Sequence, residues 1–215
     1  MEDEKSKDKI KPTKERIFDV SIELFAAKGF DAVSVREIAR GVGIRESSIY
    51  NHYPSKNAIL DDIFQYFEKE LIKMRPPEAQ DPAKLNELTL DVFRKRVKRT
   101  LNILKTPKMA KIFQISSSEQ FRDERAKKII LHTLIKEPQQ FTEKVLEKMV
   151  ENGTIKPVNP KILSVEFQYP LFSLFLEYLL LRSEDSDTST VEEVISNHVD
   201  YFLDTIRGEN RKLAY

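Results

Sequence analysis

Cysteine is absent from the 215 residues of this chain, and only 5 residues are glycine. Without cysteine there is no disulfide, no thiolate metal ligand and no cysteine nucleophile, which fits a reducing, cytoplasmic environment. An excess of charge of either sign is missing as well, because 36 Lys and Arg residues face 35 Asp and Glu residues. The net charge of +1 therefore neither indicates nor excludes a highly charged partner.

Long hydrophobic runs are also missing. The first residues are charged and no apolar segment follows them, so we expect no signal peptide. The most apolar stretch, residues 169–181, is shorter than the roughly 20 residues that a bilayer-spanning helix needs, and it contains Glu177. We interpret this stretch as a buried helix.

Helix-forming residues are abundant. Hydrophobic residues make up 40% and charged residues 33% of the sequence, a balance typical of a globular chain with many solvated helix faces. No segment alternates β-branched and polar residues over the length of a strand. The sequence therefore predicts an all-α fold of about nine helices.

The first helices have clear boundary signals. Thr13 is a candidate N-cap of the first helix, and Gly29 ends it because glycine adopts the left-handed conformation of a helix C-terminus without strain. Ser34 begins the second helix, with Glu37 at the spacing of a capping box. The third helix ends at Pro54, because a proline disfavours helical geometry in the residue before it.

The second and third of these helices have the pattern of a helix-turn-helix. Gly41 and Gly43 bracket a tight turn between them. The apolar residues placed to pack the helices together are Ile38, Ile44 and Ile49. The residues left on the outer side of the third helix can all form hydrogen bonds: Glu46, Ser47, Ser48, Tyr50, Asn51 and His52. Such a surface is typical of a helix that enters the major groove of DNA.

Residues 13–60 resemble, in order and spacing, the N-terminal DNA-binding domain of the tetracycline-repressor (TetR) family of bacterial and archaeal regulators. The segments that carry the resemblance are residues 25–30, 34–39, 41–44 and 49–56. A weaker similarity extends to residues 152–155 and to the last two helices. Residues 1–11 alternate Lys with Asp and Glu and lack an apolar pattern, so we expect a flexible charged tail there. The resemblance implies a helix-turn-helix DNA-binding domain at 12–56 and a helical ligand-binding and dimerisation domain at 57–215.

The resemblance also implies roles for individual residues. Contacts to the phosphate backbone are implied for Tyr50, His52, Lys56, Thr13, Ser34 and Arg36. Contacts near base edges are implied for Ser47, Ser48 and Asn51. Phosphate contacts would fix the position of the protein on DNA, and only the second group would read the base sequence.

Three positions depart from the residues usual in the family. Arg45 stands where a small capping hydroxyl is usual, Glu46 where a basic residue is frequent, and Ser47 where glycine is frequent. Arg45 is a candidate to contact a guanine edge or a phosphate. Glu46 either accepts a hydrogen bond from a cytosine amino group or simply favours the helix N-terminus. The base sequence of the operator is therefore not predicted.

Prolines predict interruptions in the remaining helices. We expect a break between residues 76 and 82, before a fifth helix that begins at about residue 83. A seventh helix at about 121–151 is expected to be kinked or broken near Pro138. An eighth helix, at about 160–182, is expected to bend at Pro170.

The eighth predicted helix is apolar nearly all round, which is more apolar surface than a single helix of a small monomer hides. The resemblance implies that two copies of the chain pair through their last two helices, and the alternative is a fully buried core helix. The expected interface residues are Leu171, Phe175, Tyr178, Leu179, Ile195, His198 and Phe202.

The middle helices resemble the ligand-binding core of the family. The phenylalanines available to line an apolar cavity are Phe64, Phe67, Phe93, Phe113, Phe121, Phe141, Phe167 and Phe172, and the alternative for each is ordinary packing. Arg96, in the basic run at residues 94–99, flanks the buried stripe of the fifth helix and is a candidate to hold an anionic ligand. The alternatives for the run are a solvated helix face and a nucleic-acid patch.

The sequence and the resemblance together predict a ligand-responsive DNA-binding transcriptional regulator. We expect a repressor that binds a palindromic operator as a homodimer and is released by a small hydrophobic or amphipathic effector. A helical adaptor and an enzyme of unknown type stay as alternatives. The three histidines, His52, His132 and His198, are scattered, and none stands at metal-ligand spacing with carboxylates. We therefore expect no catalytic activity, no metal and no cofactor.

Overall fold

The structure is a computed structural model that describes residues 11–73, 75 and 88–207. Its elements are α1 Thr13–Lys28, α2 Val35–Val42, α3 Glu46–Tyr50, α4 Lys56–Lys73, α5 Asp91–Leu104, α6 Pro107–Glu119, α7 Glu124–Lys128, a π-helical segment Ile129–Lys136, α8 Glu137–Glu151, α9 Pro160–Ser183 and α10 Ser189–Ile206. Because α7, the π-helical segment and α8 follow one another without a break, the described residues form nine separate helices and no strand, which confirms the predicted fold class.

Some predicted features lie outside the described residues. These are the charged tail apart from its last residue, the break expected at 76–82 and the start of the fifth helix expected at residue 83.

The first three helices, which we call the headpiece, begin and end mostly where the local signals predict. The N–H of Glu37 donates to the Ser34 hydroxyl over 3.2 Å, and the N–H of Ser34 donates to the Glu37 carboxylate over 2.9 Å, which completes the capping box of α2. Gly43 ends α2 with a left-handed φ of 76°. The prediction for Thr13 as N-cap is wrong: Thr13 is the first residue of α1, and Pro12 occupies the N-cap position without a side-chain cap.

The three headpiece helices share one apolar core, formed by Ile17, Ile22, Phe25, Ile38, Ala39, Val42 and Ile49. Helices α1 and α2 approach most closely at Gly41, where a Cβ atom would lie 2.7 Å from Val20 Cγ1. The guanidinium of Arg16 on α1 also donates to the carbonyl of Val42, so it satisfies one of the last carbonyls of α2. The headpiece therefore packs as one tight unit.

Helix α6 connects the headpiece to the rest of the chain. Lys108 of α6 forms a 2.6 Å ion pair with Asp19 of α1. The same ammonium lies over the rings of Phe18 and Tyr66, at 5.5 and 5.6 Å from their centroids. These two rings, from α1 and α4, meet edge to face with centroids 5.5 Å apart. One lysine thus joins three helices at the base of the headpiece.

Near Pro138 the helix changes type and does not break. The segment Ile129–Lys136 is π-helical, and the N–H of Glu137 donates to the carbonyl of His132, five residues earlier. A proline has no N–H, and its ring conflicts with the carbonyl four residues before it, so a regular α-helix cannot pass through this point undisturbed. A wider turn just before the proline keeps the chain helical.

Helix α9 packs against α8 and α10, and it continues through Pro170 as a single helix. At its N-terminal half, aromatic rings from three helices form a cluster. The Phe167 ring lies 5.2 Å from that of Phe93 and 4.4 Å from that of Phe202, and it stacks on His198. In the described ranges no helix has the length and hydropathy needed to cross a membrane.

We expect Gly41→Ala to lower the free energy of unfolding by about 1–3 kcal/mol, because the added methyl group overlaps Val20 Cγ1 in a packed contact. The matched control is the same substitution in a Val20→Ala background, where the methyl group has room. Alanine favours a helix over glycine by about 0.5–1 kcal/mol, so there the substitution should be neutral or stabilising. Urea denaturation of the four proteins measures this coupling, and equal costs in both backgrounds would contradict the close contact.

Candidate functional site

The outer surface of α3 is polar and open to solvent. Its exposed side chains are Arg45, Glu46, Ser47, Tyr50, Asn51 and His52, and Ser48 is half-buried. Among the described residues, none of the six exposed side chains has a hydrogen-bond or ion-pair partner. On the opposite side of the helix, Ile49 is completely buried and holds α3 on the headpiece core. The structure therefore presents the predicted contact residues of α3 together on one free surface.

Positive charge is exposed on the headpiece although its overall charge is balanced. Arg36 and Arg40 on α2 and Arg45 before α3 are exposed and form no ion pair within the described ranges. Several carboxylates of the headpiece instead pair inside the chain, namely those of Asp19, Glu23 and Glu37. The arrangement of pairs, more than the composition, gives this surface its basic character.

Ser34 and Glu37 hold the start of α2 through the capping box. The backbone N–H of Ser34, the Lys28 ammonium at 3.0 Å and the Ser34 hydroxyl lower the pKa of Glu37 from its ordinary value of 4.5 to about 2. Each of these groups stabilises the charged carboxylate. The Ser34 hydroxyl is thus engaged within the chain, and a phosphate contact by Ser34 stays a prediction.

Lys56 points from the start of α4 into the loop between α1 and α2. Its ammonium donates to the carbonyls of Phe30 and Val33 over 2.8 Å each and of Asp31 over 3.4 Å. An ammonium has three N–H donors, so these carbonyls engage all of them. Lys56 therefore braces this loop, and a phosphate contact by Lys56 stays a prediction that requires one of these bonds to be exchanged.

A cavity of about 150 Å³ lies in the second part of the chain. Side chains from α4, α5, α6, the π-helical segment, α8 and α9 line it, and most of them are apolar. The predicted cavity residues that the structure places in its wall are Phe67, Arg96, Phe113, Phe141 and Phe172. Their contact with a ligand stays a prediction.

Four phenylalanines predicted for the cavity lie elsewhere. Phe93 and Phe167 belong to the aromatic cluster between α5, α9 and α10. Phe64 is buried beneath the Arg125 guanidinium, 5.5 Å from its ring centroid. Phe121 lies in the turn after α6 and is 92% exposed. For the three buried side chains the alternative of ordinary packing holds, whereas the exposed Phe121 fits neither the cavity nor ordinary packing.

Arg96 turns inward from α5 to the cavity wall. Its guanidinium donates to the Pro138 carbonyl over 3.3 Å, to the Thr142 hydroxyl over 2.9 Å and to the side-chain oxygen of Gln168. It also lies 5.7 Å from the centroid of the Phe141 ring. Burial lowers the pKa of Arg96 to about 10. The alternative of a solvated face is therefore wrong for this member of the basic run.

Sequence reasoning missed the polar partners of Arg96. Thr142 is completely buried and Gln168 is 4% exposed. The sequence did contain a signal for Gln168. Ser164, Gln168 and Leu171 are four and three residues apart, so they lie on the same face of α9, and the rest of that face is apolar. A polar side chain on such a face needs a partner inside the protein.

Comparison with known proteins identifies the headpiece. The family described as bacterial regulatory proteins, tetR family, matches residues 17–63, which include α2, α3 and most of α1. This N-terminal segment is therefore similar to the tetR family. The prediction from the sequence is thereby confirmed.

Curated relatives match short segments of this chain. One is a Mycobacterium tuberculosis protein, MftR, named as a mycofactocin biosynthesis transcriptional regulator. It is 55% identical over 47 residues, which are 22% of this chain and 24% of MftR. The chain thus aligns with about a quarter of the length of such relatives, and the remaining residues must be compared through structure.

Solved structures extend the likeness to the whole fold. The ketosteroid transcriptional regulator KstR2 of Mycobacterium tuberculosis has a TM-score of 0.65 at 18% identity, covering 93% of this chain and 97% of that one. AibR, solved with isovaleryl coenzyme A and operator DNA, has a TM-score of 0.59 at 18% identity, covering 88% and 97%. At these identities the likeness shows the fold alone. The proteins matched are transcriptional regulators, not enzymes.

Most of the predicted interface residues are buried within the chain itself. Leu171, Tyr178, Leu179, Ile195 and Phe202 are each less than 9% exposed. Phe175 and His198 are half-buried, with Phe175 in the cavity wall and His198 within 3.1 Å of the Phe167 carbonyl. The prediction is wrong for the five buried residues, because the helix face with most apolar residues packs inward against α8 and the other core helices.

A different set of apolar side chains is exposed on the last two helices. On α9 they are Ile162, Val165, Tyr169 and Leu180, and on α10 they are Val194 and Tyr201. Their spacings of three, four, seven or eleven residues place them along one side of each helix. We call this surface the outer stripe.

Glu37→Gln should lower the melting temperature at neutral pH, because it removes the charge that Ser34 and Lys28 stabilise. The folded-state pKa of Glu37 lies below its ordinary value, so its contribution is complete above pH 4.5 and is lost as pH falls toward about 2. The difference in melting temperature between the two proteins should therefore shrink across this range. A difference that is constant with pH would contradict the assigned role.

Proposed function

We propose that this chain is a ligand-responsive transcriptional repressor of the cytoplasm that binds a palindromic operator as a homodimer and is released by a small effector. The observation that carries the proposal is the free polar surface of α3, held by a buried Ile49 within a tetR-family headpiece. Residues 12–56 would form the DNA-binding domain, and residues 57–215 the ligand-binding and dimerisation domain. Repression follows most simply, because a dimer on its operator excludes other proteins from the same DNA.

In this proposal α3 lies in the major groove, with Ser47, Ser48 and Asn51 near base edges. The unpaired arginines Arg36 and Arg45 supply positive charge for the phosphates on either side. Tyr50, His52 and Thr13 add further contacts to the backbone. The exposure of the α3 side chains supports this assignment, because a groove-binding surface must be free of contacts within the protein.

The outer stripe is the surface that we propose for pairing. Two copies that bury it would form a four-helix contact from α9 and α10 of each chain. A two-fold dimer also supplies two copies of α3 for two half-sites, which gives a palindromic site its symmetry. The exposed apolar side chains support this, since Leu180 and Val194 are 58% and 44% exposed in the single chain and a partner would remove them from water.

Helices α4 and α6 contact both the cavity and α1 of the headpiece, which suggests how a ligand acts on DNA affinity. Helix α4 contributes Phe67 and Leu71 to the cavity, and helix α6 contributes Phe113. Lys108 and Lys111 on the other side of α6 pair with α1. A ligand that shifts α6 would change these pairs, and the effect must be reciprocal: DNA binding alters ligand affinity by the same factor.

The protein should bind a DNA fragment that carries the promoter of its own gene, with an affinity that falls steeply as salt rises. Tyr50→Ala should weaken binding at least about tenfold, because it removes a hydrogen bond to a charged group. The matched control is Phe121→Ala, which removes an exposed aromatic ring outside the headpiece. Gel shifts with the three proteins measure this. Retention of full affinity by Tyr50→Ala would exclude its assigned contact, and no binding by the unaltered protein would exclude the proposed function.

Leu180→Glu should convert the dimer to a monomer at micromolar concentration, because it places a charge in the apolar pairing surface. Leu131→Glu is the matched control, since Leu131 is also exposed but lies in the π-helical segment, off the outer stripe. Multi-angle light scattering gives the mass of each protein. A monomeric unaltered protein, or a Leu180→Glu variant that remains dimeric, would contradict this interface.

A further inference from the structure

The wall of the cavity contains a cation without a counter-ion. The three acceptors of the Arg96 guanidinium are a carbonyl, a hydroxyl and an amide oxygen, and all are neutral. They fix the direction of the guanidinium and satisfy some of its five N–H donors. None of them supplies a negative charge to this half-buried cation.

The carboxylates near Arg96 are committed elsewhere. Within the described part of the chain, no Asp or Glu oxygen lies within 4.0 Å of its guanidinium. Glu137 lies in the same wall, but its carboxylate pairs with Arg75. Arg94, two residues away, has its own partner in Asp200 at 2.6 Å. With a pKa of about 10 despite burial, Arg96 remains protonated at neutral pH, so its charge persists.

The rest of the wall is suited to an apolar group. Its aromatic members are Phe67, Phe113, Phe141, Phe172 and Phe175. The volume of about 150 Å³ equals that of an engineered apolar cavity in another protein that binds benzene. A ligand body of about six to eight carbons therefore fills this space.

We propose that the cavity binds a small monocarboxylate, with its carboxylate on Arg96 and its apolar body against the phenylalanines. The planar guanidinium matches the two oxygens of a carboxylate. One negative charge fits better than two, because Arg96 is the only unpaired cation of the wall among the described residues and Glu137 repels a further anion. This inference rests on the proposed function, in that it names the chemistry of the effector.

The direct test compares an acid with its neutral analogue in the full-length protein. Isothermal titration calorimetry with phenylacetate and phenylacetamide should show about 10- to 100-fold tighter binding of the acid. Arg96→Met keeps the apolar stem of the side chain and should abolish this preference. Arg99→Met is the matched control: it removes an exposed arginine of the same helix and should leave the preference unchanged.

Further arms define the ligand. Hexanoate in place of phenylacetate tests whether a ligand with an aliphatic chain binds as well as one with an aromatic ring. Phenyl phosphate tests the effect of a second negative charge on the ligand, which should weaken binding. Equal affinity for acid and amide, an unchanged preference in Arg96→Met, or no binding of either acid at millimolar concentration would overturn the proposal.

An NMR measurement on the unaltered protein keeps the proposal testable if Arg96→Met does not fold. The Nε–H signal of Arg96, assigned by its loss in Arg96→Lys, should shift when phenylacetate is added and not when phenylacetamide is added. A signal that does not move with the acid would contradict the proposed contact.

DNA binding is measured separately, without ligand. If the protein binds its promoter fragment but no carboxylate, the ligand assignment fails and the proposed regulator remains. If carboxylates bind with the expected preference but the protein binds no DNA, the cavity assignment holds and the regulatory function fails.

Discussion

The position of the headpiece depends on α1, which packs against α2 on one side and against α4 and α6 on another. One side of α1 gives Ile22 and Phe25 to the headpiece core, where Gly41 lets α2 come within contact of Val20. Another side places Phe18 against α4 and α6. Because both surfaces belong to one helix, the packing of α4 and α6 against α1 fixes where the headpiece lies. The position of α3 is therefore set by contacts well away from its own polar surface.

The headpiece was predictable from the sequence because its signals are local. The capping of α2 by Ser34 and Glu37 and its left-handed end at Gly43 involve residues that are near one another in the chain. The narrow contact at Gly41 occurs at a position that has no room for a side chain. The internal role of Lys56 was not predictable, since its three carbonyl partners lie more than twenty residues away.

The cavity and the pairing surface were only partly predictable, because helical periodicity shows which face is apolar and not what covers it. Phe67 and Phe93 look alike in sequence, yet one borders the cavity and the other packs against Phe167. On α9, the face richest in leucine turned inward, while the sparser outer stripe with Leu180 remained exposed. Partners distant in sequence decide between these outcomes.

The contacts between α1 and α6 have the right strength for a switch. Allosteric coupling typically amounts to about 1–3 kcal/mol, and an exposed ion pair contributes about 0.2–1 kcal/mol. Two pairs, the half-buried one of Lys108 and the more exposed one of Lys111, act together with a 3.1 Å hydrogen bond from Gln114 to the Ala26 carbonyl. Phe113, between these residues in sequence, borders the cavity. A shift of one turn of α6 would therefore exchange a free energy comparable to such a coupling, without disrupting the buried core that keeps the headpiece folded.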